Sequence, residues 1–179
     1  KCTLTGAVLA AATADAGDVC TVYVSKSGDT NYNATSSANY SFTVAPAAQA
    51  AVTVPTGKTV GYNNATDLTQ APYTPSGGTG TGAWSFSTSS ANCSISGNLL
   101  TSTTAINGTC VVSVVRLAQG NYADSAPVNM TLTTSKGSQT ISYNTISSSV
   151  RVGDTETLSA TSTSGLAVSY AVASGSSSY

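Results

Sequence analysis

What this 179-residue chain lacks narrows its chemistry before any motif is read. It has no histidine, so no side chain titrates unperturbed near neutral pH and the commonest zinc ligand is missing. It has one glutamate, Glu156, and six scattered aspartates, and its many serines come without a base to activate them. An enzyme is therefore not expected, and no catalytic residue, metal site or cofactor is assigned. Asp154 and Glu156 form the one tight acidic pair, for which a solvated strand edge is a simpler reading than a calcium site built from clustered oxygen ligands. The six basic residues, Lys1, Lys26, Lys58, Arg116, Lys136 and Arg151, stand singly, so no basic stripe tracks a phosphate backbone and nucleic acid is not an expected partner. No apolar run approaches the roughly 18 residues of a membrane-spanning helix, and the first residues lack the regions of a signal peptide. Targeting is expected to lie elsewhere in a longer chain or to have been removed.

What remains is apolar enough to fold: 40% of residues are hydrophobic, only 7% are charged, and roughly a third are Ser or Thr. Short runs rich in Val, Ile, Tyr and Thr alternate with Gly, Asn, Ser and Pro clusters about every ten residues, the pattern of an all-β sandwich or barrel. In TCVVSVVRL one face carries Cys110, Val112 and Val114. In VNMTLT one face carries Val128, Met130 and Leu132, with Asn129, Thr131 and Thr133 turned the other way.

The chain also repeats itself. Residues 92–133 align with residues 1–44, matching Cys93 to Cys2, Cys110 to Cys20, Asn121-Tyr122 to Asn31-Tyr32, and Leu132 to Phe42, at an offset near 90. A second match joins AQAAVTV to GSQTISY and Leu68 to Leu158, with a loop several residues longer, at 71–82, in the first of these copies. The expected organisation is tandem immunoglobulin-like β-sandwiches of about 90 residues: residues 1–45 the C-terminal half of one repeat, 46–135 a complete repeat, 136–179 the N-terminal half of another. Strands are expected near 51–54, 59–62, 66–70, 83–87, 93–96, 98–103, 109–115 and 128–134. The closing VASGSSSY reads as the first half of a phrase that KCTLTG completes, so Tyr179 is expected to abut a Lys-Cys-Thr-Leu segment of the continued chain or of a neighbour. A window cut from a longer array and the repeating unit of a fibre, with units covalently joined or separate, both fit that pattern. In the separate case copies would join head to tail, residues 136–179 of one completing residues 1–45 of the next.

Several residues are singled out. Trp84 and Phe86 are expected to alternate inward on a central strand and fill the space between sheets. Tyr32 and Tyr122 recur after a turn and are expected to pack it down, with Phe42 and Leu132 in the core. The 71–82 loop, with Tyr73, Thr74, Gly77 and Gly78, is the place to look for an added contact. The four cysteines allow three pairings, and similar spacing in the two copies, 18 and 17 residues, makes Cys2–Cys20 and Cys93–Cys110 the economical one. Buried free thiols and bridges between units are the alternatives. Asn-x-Ser/Thr occurs at Asn33, Asn39, Asn64, Asn92, Asn107 and Asn129, too small an excess over chance to assert glycosylation.

The order SQTISY, VGDTETLSATSTSGLAVSY, CSISG, NGTCVVSV and GNYADSAPVNMTLT resembles the bacterial Ig-like tandem repeats of large secreted and cell-surface proteins. The resemblance spans nearly the whole chain. Departures are GDVC in the first copy, where Gly-Thr-Cys is usual, and the long 71–82 loop. It implies an extracellular or bacterial cell-surface structural protein, a filament or long stalk whose partners are copies of itself. The alternative is an adhesin-type module that recognises a glycan or protein receptor through its loops.

Overall fold

A computed structural model describes residues 1–11, 14–104, 108–144, 146 and 149–175. The described residues form strands and turns and no helix, hence no helix long and apolar enough to cross a membrane. The chain divides into two compact units, Lys1–Ser135 and Lys136–Tyr179, the first containing both the 1–45 and the 46–135 segments.

In the first segment β1 (Thr3–Thr5) and β2 (Val8–Ala10) form a hairpin, β3 (Val19–Val22) pairs with β6 (Tyr40–Thr43), and β4 (Ser25–Lys26) pairs with β5 (Thr35–Ser36), all antiparallel. Residues 46–135 contain β7 (Val52–Thr53), β8 (Lys58–Gly61), β9 (Ala65–Asp67), β10 (Ser76–Gly77), β11 (Trp84–Thr88), β12 (Cys93–Ser96), β13 (Leu99–Ser102), β14 (Thr109–Arg116) and β15 (Val128–Ser135). A four-stranded sheet runs β11-β14-β15-β8, antiparallel except for the parallel β15–β8 pair. A three-stranded sheet runs β12-β13-β9, and β7 pairs with β10.

The longest strands show why these residues form a two-sheet body. Along β14 the buried positions are Cys110, Val112 and Val114, and along β15 they are Met130, Leu132 and Thr134, the period-2 pattern of a strand with one face in a core. Those side chains join Val60 and Phe86 of the same sheet to Cys93 and Leu100 of the three-stranded sheet and to Val52 and Leu68, in one buried cluster. The arrangement is sandwich-like. Polar groups caught inside it are satisfied: Thr134 Oγ1 accepts from Gly108 N at 2.9 Å, Ser102 Oγ donates to the Thr104 carbonyl at 2.7 Å, and Ser125 Oγ accepts from Arg116 N at 2.9 Å. Two glycines are dictated by geometry. Gly97 takes φ +60° at the first central position of the two-residue β12–β13 turn, as a type II′ hairpin requires. A Cβ at Gly82 would run into the Leu117 carbonyl oxygen.

The strand registers recur along the chain. Cys20 stands opposite Phe42 as Cys110 stands opposite Leu132, 90 residues on. Thr3 stands opposite Ala10 as Ser94 stands opposite Thr101, 91 residues on. In the second unit β16 (Ile141–Tyr143) and β17 (Ala160–Ser162) pair Ile141 with Ser162, much as β7 and β10 pair Val52 with Gly77.

Burial on β15 sets a direct test. Met130→Ala is expected to lower unfolding stability by about 2–5 kcal/mol, whereas Thr131→Ala, on the exposed face of the same strand, should stay within about 0.5 kcal/mol. Denaturant titration followed through Trp84 fluorescence measures both.

Candidate functional site

The cysteines are paired within each segment, Cys2 with Cys20 and Cys93 with Cys110, at Cα separations of 6.1 and 5.9 Å. Cys93 lies in β12 and Cys110 in β14, so that bridge crosses from one sheet to the other through the core. Cys2–Cys20 ties the β1–β2 hairpin to β3 in the same manner, and there it joins two ladders that share no strand.

The other singled-out residues divide. Leu132 and Phe86 are buried in the core cluster. Trp84 is half-buried, and its strand is the edge of the four-stranded sheet rather than a central strand. The guanidinium of Arg116, its cross-strand partner, lies 4.5 Å from the ring centroid, a cation–π contact. Phe42 and Tyr122 are half-buried. Tyr32 is 76% exposed and is not a core residue; it lies in the connection between β4 and β5. The 71–82 stretch is not a free loop. It contains β10 and a buried Pro75, and the Tyr73 hydroxyl donates to the Thr59 carbonyl at 2.6 Å, which turns that ring against the core. Thr74 and Gly77 remain exposed, and Gly78 is half-buried against Gln49 and Arg116. Asn107 and Tyr179, with the expected abutment at Tyr179, lie outside the described residues.

Two further features belong to this geometry. The first is the junction between residues 1–45 and the body that follows. Ala47 N–H donates to the Asn121 carbonyl at 2.8 Å, and Ala123 N–H donates to the Ala47 carbonyl at 2.9 Å, so the connecting segment is laid along the 119–123 turn. The Asn121 side chain reaches back into the first segment, accepting from Ala16 N at 2.8 Å and donating to Asp15 Oδ1 at 3.1 Å. Gln49 anchors the same place: its Nε2 donates to the carbonyls of Ala123 (2.7 Å), Arg116 (3.1 Å) and Leu117 (3.2 Å), and its Oε1 accepts from Gly80 N at 3.2 Å. Lys1 Nζ lies 3.0 Å from Asp15 and 3.1 Å from Asp18. Hydrogen bonds from Lys1 and then Asn121 hold the Asp15 carboxyl below the usual carboxylate range, and the Asp15 N–H followed by Lys1 does the same for Asp18. With depressed folded-state values, these carboxylates contribute above their ordinary titration range and lose the contribution as pH falls through the depressed values, so the cluster is intact at neutral pH. Gln49 lies within AQAAVTV, but its role depends on carbonyls more than 60 residues away.

The second feature is a pair of open apolar faces. Val24 is 75% exposed and its counterpart Val114 0%; Tyr40 is 71% exposed and Met130 0%. In the second unit Val150 is 51% exposed against 1% for Val60, and Leu158 47% against 0% for Leu68. The same positions that form the core of residues 46–135 lie open in the segments on either side. Comparison with protein-family models, with curated proteins and with solved structures gave no match.

Two outcomes follow from this geometry. Replacing Cys93 and Cys110 together by Ala should lower stability by about 3 kcal/mol in denaturant titration, while the corresponding change at Cys2 and Cys20 should instead release the β1–β2 hairpin, read as faster amide exchange at Thr3 and Ala10, whose N–H groups bond across the ladder. Gln49→Ala should cost about 2 kcal/mol, from several part-buried hydrogen bonds lost at once, in the same titration.

Proposed function

We propose that this chain is a structural, non-enzymatic repeat unit of an extracellular bacterial filament or long surface protein, built from tandem immunoglobulin-like sandwiches of about 90 residues and serving reach, stiffness and assembly. The observation that carries the reading is the hydrogen-bonded junction: Asn121, Ala47 and Gln49 fasten one segment to the next with backbone and amide groups, as a chain of stacked units requires. The recurrence of strand register at about 90 residues supports the repeat. The two disulfides are compatible with an oxidising, extracytoplasmic setting.

The surface chemistry fits the same role. Outward hydroxyls pair across strands, Thr21 with Ser41 at 2.7 Å, Thr53 with Ser76 at 2.7 Å and Thr59 with Thr133 at 3.0 Å, leaving a wet but nearly uncharged surface. Few charges need desolvation when such surfaces meet side by side. Recognition of a receptor through the 71–82 loop is the weaker reading, since the loop's one aromatic ring, Tyr73, is held against Thr59 and the core.

Antibody labelling of intact source cells, viewed by electron microscopy, tests the proposal. Label on surface fibres with an axial repeat of roughly 60–90 Å, two sandwiches end to end at about 3.3 Å per strand residue, is the expected result. Label confined to the cell interior would overturn it.

A further inference from the structure

We propose that residues 47–61 and 122–135 form a tension clamp: two parallel contacts, one at the junction and one along β8–β15, that a pull along the chain loads in shear. The proposal deepens the structural reading above and rests on it for the source of the tension.

Connectivity sets the direction of the load. The strand β15 closes residues 46–135 and β8 stands near their beginning, yet the two run parallel, with Leu132 opposite Lys58 and Ser135 opposite Gly61. Ala47 and Tyr122 form a second parallel bridge. Tyr122 stands 75 residues after Ala47, and Leu132 stands 74 after Lys58, so the entering stretch tracks the leaving one in the same direction at both places. A pull on residue 45 draws β8 back along its own axis, while a pull on residue 138 draws β15 forward along that axis. Every bond between the two strands is then stretched at once, and the bonds must give way together. Forced unfolding is governed by that rupture barrier and not by equilibrium stability.

Side chains reinforce each contact. At the junction Ala47 bonds the Asn121 carbonyl and the Ala123 N–H, and Gln49 Nε2 donates to the Ala123 carbonyl at 2.7 Å. Along the strands the Tyr62 N–H donates to the Ser135 carbonyl at 2.9 Å, the Thr59 and Thr133 hydroxyls pair at 3.0 Å, and Ser135 Oγ donates to the Val60 carbonyl at 3.4 Å. The Tyr73 hydroxyl grips the Thr59 carbonyl, so β8 is tied to the body as well as to β15. Behind the clamp the Cys93–Cys110 bridge withholds 17 residues from extension, because a covalent loop stays closed when its strands separate.

Single-molecule force spectroscopy on the full chain, with its disulfides formed and handles attached at exposed positions, tests the clamp. Handles at Ala45 and Ser138 pull β8 and β15 in shear, whereas handles at Asn64 and Ser138 draw the two C-terminal strand ends apart and peel the same ladder bond by bond. The shear pair should rupture at several-fold higher force. Replacing Cys93 and Cys110 by Ala should lengthen the released chain by roughly 55 Å, 17 residues at about 3.6 Å each less the 5.9 Å between the bridged Cα atoms, which identifies the rupture as the opening of this body. Gln49→Ala and Tyr62→Pro should lower the shear force. Leu100→Ala, buried in the other sheet, should lower the denaturant midpoint and leave that force unchanged. Equal forces in the two geometries overturn the proposal, and so does a shear force that follows the denaturant midpoint across the three variants. A high shear force in a protein found only inside cells sinks the surface reading alone; equal forces in a protein seen on surface fibres sink the clamp alone.

Discussion

The β14–β15 ladder is the constraint from which the rest follows. Two eight-residue strands paired from Thr109–Thr133 to Val114–Val128 create an apolar face of Cys110, Val112, Val114, Met130 and Leu132. Such a face is stable only when covered, and burying it is the largest favourable contribution to folding available to a chain with so little charge. The three-stranded sheet, the β7–β10 pair and Leu68 supply the cover, and the Cys93–Cys110 bridge fastens cover to ladder. The hydroxyls that enter this core, on Ser102, Ser125 and Thr134, are each hydrogen-bonded to backbone, which offsets the cost of their burial.

The same requirement explains the segments at either side. The β3–β6 ladder repeats the register of β14–β15, no third strand pairs with it among the described residues, and Val24 and Tyr40 are open. Within that segment the Cys2–Cys20 bridge holds together two ladders that no strand pairing unites. The junction then holds the segment to its neighbour by neutral amide and backbone contacts, with the Lys1–Asp15–Asp18 ion pairs at the exposed margin, where screening leaves them a minor share.

How much of this was legible in the residues follows from the range of each interaction. Alternation within TCVVSVVRL and VNMTLT is local, and these two strands and their inward faces were readable from it. The cysteine pairing was readable as the economical choice because the spacing recurs. Tyr32 and Tyr73 were not: a tyrosine after a turn, or one in a long loop, is inward or outward according to what lies opposite, and the sequence around it carries no trace of that. Gln49 was invisible for the same reason, since an amide among alanines becomes an anchor only when Arg116, Leu117 and Ala123 present their carbonyls to it.

The sequence by itself determined that the chain is all-β, which face of each long strand turns inward, and that similar segments stand about 90 residues apart, because period-2 alternation and self-similarity are properties of neighbouring and matching residues. Only the tertiary structure decided that Trp84 sits at a sheet edge under Arg116, that Tyr73 is spent on Thr59, that Asn121 fastens the first segment to the body, and that Val24, Tyr40, Val150 and Leu158 lie open. Those outcomes depend on which surfaces meet, and burial is a property of the pair of surfaces rather than of either strand alone.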